Sequence, residues 1–100
     1  MPKGYLIMTE TIRDRAGMDA YGRASAPSLL AAGARVRVVD PDPEVLEGAW
    51  HGDRTIVVEF PSVEAARAWY ESAEYQRVKP LREAAAETNA VIVTGFEPPS

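Results

Sequence analysis

The chain contains no cysteine and a single histidine, His51. Disulfides and thiolate metal sites are therefore excluded. One histidine leaves only carboxylates as metal ligands, and no Asp/Glu spacing resembles a calcium loop, so no metal or other cofactor is expected. There is no glycine-rich phosphate loop and no Gly-x-Ser-x-Gly nucleophile elbow. No apolar stretch approaches the roughly 20 residues of a membrane span, and no apolar run precedes the first strand-like segment, as a secretory leader would require. With cysteine absent, a reducing, cytoplasmic location is the expectation. Positive charge is also in short supply: 11 Lys and Arg stand against 15 Asp and Glu, for a net charge of -4. The basic residues are scattered along the chain, which argues against nucleic acid as a partner.

What is present suits one globular domain. Hydrophobic residues make up 46 % of the 100 residues and charged residues 26 %, neither a disordered nor a fibrous composition. A chain of this length builds one core with a thin stability margin, which pairing with a second copy would widen.

Residues 3–12 alternate as a strand, with Tyr5, Ile7, Thr9 and Thr11 on one face and Leu6, Met8 and Ile12 on the other. Asp14 is placed to cap a helix whose buried stripe is Met18, Tyr21, Ser25, Leu29 and Ala32. Pro27 predicts a kink or restart in it, and Gly33 its C-terminal stop. Residues 34–39 form a second strand, ended by Asp40-Pro41-Asp42-Pro43. A short extra strand is predicted over 44–48, then a turn through Trp50-His51-Gly52-Asp53. Residues 54–60 form the third strand. Ser62 caps a helix with the stripe Ala66, Trp69, Tyr70 and Ala73, and Ser72 a second helical piece that Pro80 should bend. The last strand is predicted over 89–96, with 97–100 fraying.

The order β-α-β-β-α-β defines an α+β, ferredoxin-like fold: a four-stranded antiparallel sheet with helices on one face. The first strand is apolar on both faces up to Met8, and Ala90-Val91-Ile92-Val93 is apolar throughout. Both sheet faces should then be covered, and the chain has no third layer to supply. The sheet of a second copy is the expected cover.

Several motifs carry a family likeness. Lys3-Gly4-Tyr5, Glu44-Val45-Leu46-Glu47-Gly48, Glu59-Phe60-Pro61-Ser62, Trp69-Tyr70-Glu71-Ser72 and Glu74-Tyr75-Gln76, followed by Arg82, resemble the DUF1330 family over residues 3–96. The resemblance implies a single domain of the dimeric α/β-barrel superfamily, whose wider members include cofactor-free oxygenases, haem-degrading enzymes and muconolactone isomerase. The family has no agreed function, so it supplies no catalytic residues. Ala34, Ala73 and Thr94-Gly95 depart from its usual pattern, the last by lacking a carboxylate near the end of the final strand.

Candidate chemistry is sparse. His51 would serve as a general base, a role suited to an imidazole, or it is a solvated loop residue. Glu59 sits in the apolar run Ile56-Val57-Val58-Glu59-Phe60. There its carboxylate either serves a ligand in the dimer cavity or forms a structural ion pair with Arg35 or Arg37. Tyr5, Tyr21, Trp69 and Tyr70 would line an aromatic ligand pocket or belong to the core. Glu47 would reach a ligand at a cavity mouth or pair with Arg54. Three functions follow: a cofactor-free enzyme acting on a small, mostly apolar molecule, with Glu59 and His51 as acid/base groups and Tyr5, Tyr21, Arg35, Glu47 and Trp69 as binding groups; a small-molecule-binding dimer without turnover; or an interaction protein with no pocket.

Overall fold

A computed structural model describes residues 1–99. Strand β1 (Gly4–Ile12) leads to helix α1 (Arg15–Ala31), then strands β2 (Arg35–Asp40) and β3 (Arg54–Phe60), helices α2 (Val63–Glu71) and α3 (Ala73–Ala85), and strand β4 (Ala86–Thr94). The sheet order is β2-β3-β1-β4, and every neighbouring pair is antiparallel. The ferredoxin-like fold expected from the element order is the fold observed.

The helix starts follow from local chemistry. Asp14, Ser62 and Ser72 each accept a backbone N–H with their side chain, from Gly17, Ala65 and Tyr75 respectively. Ser72 ends α2 and starts α3 in one step. After α1, Gly33 takes φ +72°, the left-handed conformation that closes a helix.

Four expectations need correction. Pro27 and Pro80 do not break their helices: α1 and α3 each run through. Both prolines are exposed, so the carbonyls they leave without an N–H partner, of Arg23 and Gln76, can turn to water. No strand forms over 44–48; Gly48 instead adopts φ +72° in a turn. β4 begins at Ala86 rather than 89, directly from the end of α3, and ends at Thr94. Residues 97–99 are irregular and exposed, while Ser100 lies outside the described residues. The even alternation expected of the second strand is interrupted: Val36 pairs with Val58, but Val38 pairs with Val57, so Arg37 is the extra residue of a bulge.

The sheet has two unlike faces. Leu6, Met8, Val58 and Phe60 point to the helices and are buried with Met18, Tyr21, Ala66, Trp69, Tyr75 and Ala85. Trp69 is central, with its ring centroid 4.0 Å from that of Tyr75 and 5.7 Å from that of Phe60. By register the other face carries Tyr5, Ile7, Thr9, Val57, Val38, Val91 and Val93. Among the described residues no helix or strand packs on it, only the Trp50–His51 loop at one end, and Val38, Val91 and Val93 are 40 %, 53 % and 39 % exposed.

Candidate functional site

α1 packs against α3, not flush on the sheet, and a cavity of about 480 Å³ lies between α1 and the β2–β3 half of the sheet. Its walls are mostly apolar, including Leu6, Met8, Met18, Leu29, Ile56 and Val58. Val36 and Val39, which the bulge turns to this side at the β2 edge, are half exposed and form its open rim. The size falls within the range of small-molecule sites, and so does the balance of an apolar wall with few polar groups.

The polar groups at this cavity are Tyr21, Ser25 and Trp69 in the core and Arg54, Asp19 and Arg23 nearer the rim. Trp69 Nε1 donates to Ser28 Oγ at 2.9 Å, which fixes the indole. The Tyr21 and Tyr75 hydroxyls meet at 2.8 Å, and Arg82 Nε donates to the Tyr75 hydroxyl at 3.2 Å. Burial first, then the neighbouring Tyr75, holds the Tyr21 phenol far above its usual pKa, so it is neutral at any physiological pH.

Arg54 Nε donates to Glu10 Oε1 at 2.9 Å, and Arg54 Nη2 lies 2.9 Å from the same oxygen in an ion pair. Glu10 is fully buried, and its other oxygen, Oε2, has no hydrogen-bond partner. The hydroxyl of Thr88, opposite Glu10 in the β1–β4 register, is a second buried group without one. The pair is held where it is by close packing of backbone. Gly52 takes φ +83°, and a Cβ there would lie 2.6 Å from the Glu10 carbonyl oxygen. The Asp53 N–H donates to that same oxygen at 2.7 Å.

The open face of the sheet carries a separate polar cluster. Glu59 accepts from the Tyr5 hydroxyl at Oε1 (3.2 Å) and from Arg37 Nη2 at Oε2 (3.1 Å). The Arg37 hydrogen bond is the main cause holding the Glu59 carboxyl below its usual pKa, and burial acts against it. Burial and the bond to Glu59 raise the Tyr5 phenol. The bulge explains why Arg37 is the partner and Arg35 is not. Arg35 is the register partner of Glu59, but the extra residue swings Arg37 onto the same face.

His51 lies over that face too. Its Nδ1 is 2.8 Å from Thr9 Oγ1, and its Nε2 is 3.5 Å from Glu87 Oε1 without hydrogen-bond geometry. Trp50 Nε1 donates to Thr55 Oγ1 beside it at 2.9 Å. His51 is thus docked on the sheet and not a free loop side chain. It meets β1 at Thr9, while Glu59 meets it at Tyr5, four residues or about 13 Å away along the strand.

The residues singled out from sequence therefore fall in three places. Tyr21 and Trp69 line the cavity; Tyr5, Glu59 and Arg35 share the open face, with His51 at its other end; Glu47 lies on the loop after β2, near Val38 and Trp50. Glu47 does not pair with Arg54, which Glu10 already occupies. Glu10, its pairing with Arg54, and the Tyr75–Arg82 contact are what sequence reasoning passed over. A signal for Glu10 was present, since it occupies the same alternation as Leu6, Met8 and Ile12 and is a charge on the core face.

Among the described residues no three His, Asp or Glu side chains cluster as metal ligands, and no helix is long and apolar enough to cross a membrane.

Two helical segments and a first helix on one face of a four-stranded antiparallel sheet define a ferredoxin-like protein. The sequence matches the family DUF1330, a domain of unknown function, over residues 3–96, and the chain belongs to that family. A protein of unknown function from Rhodopseudomonas palustris shares the fold with a TM-score of 0.80 at 22 % identity, covering 97 % of this chain and 85 % of its own. SnoaB, a cofactor-independent oxygenase from Streptomyces nogalater, has a TM-score of 0.62 at 10 % identity, covering 98 % and 97 %. A dimeric ferredoxin-like protein of unknown function from Thermobifida fusca has a TM-score of 0.52 at 11 % identity, covering 93 % and 91 %. No curated protein sequence matches the chain.

Proposed function

We propose that the chain is a homodimer, joined through its open sheet faces, that binds a small, mostly apolar molecule in the cavity beneath α1. The cavity carries this reading: about 480 Å³ of space with apolar walls, at the same position in the fold as the buried core, is more than a packing defect. The exposed valines on the other face support the dimer, as do the structural neighbours described as dimeric. Glu59 has both oxygens satisfied by Tyr5 and Arg37, which supports a structural role at the interface over a catalytic one. The absence of cysteine is consistent with a cytoplasmic setting.

Catalysis without a cofactor is the second reading. The likeness to a cofactor-independent oxygenase favours it, together with a neutral, hydrogen-bonded phenol at the cavity wall in Tyr21. Binding is tested first. 1-Octanol should raise the melting temperature of the wild type and perturb Trp69 fluorescence. Gly22→Phe should remain folded and lose both effects, because Gly22 lines the cavity and a Cβ there meets nothing within 4 Å. Light scattering should give twice 10.9 kDa. A wild type indifferent to the alcohol would end the binding reading, and a clean monomer mass would end the dimer.

A further inference from the structure

A second space adjoins the cavity beneath α1 at Arg54. Arg54 and Val39 line both; the second is about 380 Å³, and its other walls include Ile12, Arg13, Arg15, Pro41 and Asp53. It is thus lined by three arginines and one carboxylate. The basic residues scattered in sequence meet here because Arg13 and Arg15 flank the start of α1 while β3 begins at Arg54.

Arg54 is built to receive a second anion. Glu10 occupies the Nε–Nη2 edge of the guanidinium. Of its five N–H groups three remain, including the pair on the far Nη1–Nη2 edge, which suits a carboxylate held by two parallel hydrogen bonds. The Arg54 side chain is 25 % exposed and lines the second space. Arg13 and Arg15 are exposed, and among the described residues neither forms an ion pair; Arg13 makes only a 3.4 Å contact to the Glu83 carbonyl. Arg15 is the first residue of α1, next to the N-cap carboxylate of Asp14, which is engaged with the Gly17 N–H.

We propose that the ligand is an amphiphilic acid: its apolar body lies in the cavity beneath α1 and its carboxylate sits among Arg54, Arg13 and Arg15. This deepens the binding reading above and rests on it. Isothermal titration of octanoate and 1-octanol, at matched ionic strength, separates the two. Octanoate should bind wild type about tenfold more tightly than octanol. In the double variant Arg13→Gln/Arg15→Gln that preference should fall to about threefold or less, with octanol affinity unchanged. Both arginines are exposed, so the variant should fold. Equal affinity of the wild type for acid and alcohol, or an undiminished preference in the double variant, would overturn the carboxylate site while leaving the cavity reading intact. Failure of both compounds to bind would overturn the cavity reading and the carboxylate site with it.

Discussion

Replacing Arg54 by methionine tests the energetic centre of the molecule. Glu10 is wholly buried and, among the described residues, has Arg54 as its only side-chain partner. The substitution keeps most of the aliphatic bulk and removes the guanidinium. An uncompensated buried charge costs about 3 to 5 kcal/mol. Because the Arg54 side chain is 25 % exposed, some water already reaches the pair and the lower end, about 3 kcal/mol, is the better expectation. In a domain of this size about 1 kcal/mol moves the melting temperature by about 4 °C or more, so the drop should be at least about 12 °C by calorimetry. It should be matched by a fall in the urea midpoint. The double variant Glu10→Gln/Arg54→Met removes the charge together with its partner, and should recover most of the loss. A coupling of more than about 1 kcal/mol between the two sites is expected for residues in direct contact. If Arg54→Met alone costs less than about 1 kcal/mol, or if the double variant is as unstable as the single one, the pair is not acting as a buried ion pair and the reasoning fails.

Two further outcomes follow from neighbouring geometry. Glu59 is held below its ordinary pKa of 4.5 chiefly by the Arg37 hydrogen bond, so its contribution to stability is complete above that value and is lost as the pH falls through the lower folded value. The stability difference between wild type and Glu59→Gln should therefore be present at neutral pH and vanish in acid; an equal difference at pH 7 and pH 3 would remove the ion pair from the account. Gly52→Ala forces a side chain into a left-handed conformation and sets its Cβ 2.6 Å from the Glu10 carbonyl oxygen. It should destabilise by more than about 1 to 2 kcal/mol and alter the NMR signals of His51, and a neutral result would mean that the loop does not rest on β1.

The parts of the fold that were legible in sequence are those set by neighbours along the chain. The alternation of β1, the capping residues Asp14, Ser62 and Ser72, and the left-handed Gly33 each depend on a few adjacent positions, and each is found where expected. Pro27 and Pro80 were misleading because their effect depends on which side of the helix they occupy. On the solvent side the lost hydrogen bond is replaced by water. The bulge at Arg37 was invisible because no glycine marks it, yet it decides which arginine meets Glu59. The docking of His51 on Thr9 joins residues 42 positions apart and depends on Gly52 lying against β1. The cavity was legible only as an expectation of aromatic lining. Its position depends on α1 leaning on α3, which no local pattern encodes.

The bulge in β2 also governs how this sheet can grow. β2 is a terminal strand, and a terminal strand displays unpaired N–H and C=O groups on which another chain could add itself. Here the regular spacing of those groups is broken at Arg37. The strand is only six residues long, carries two arginines and an aspartate, and runs straight into Pro41. Each of these features spoils a template for lateral strand addition. Lateral strand addition at this margin is thereby disfavoured.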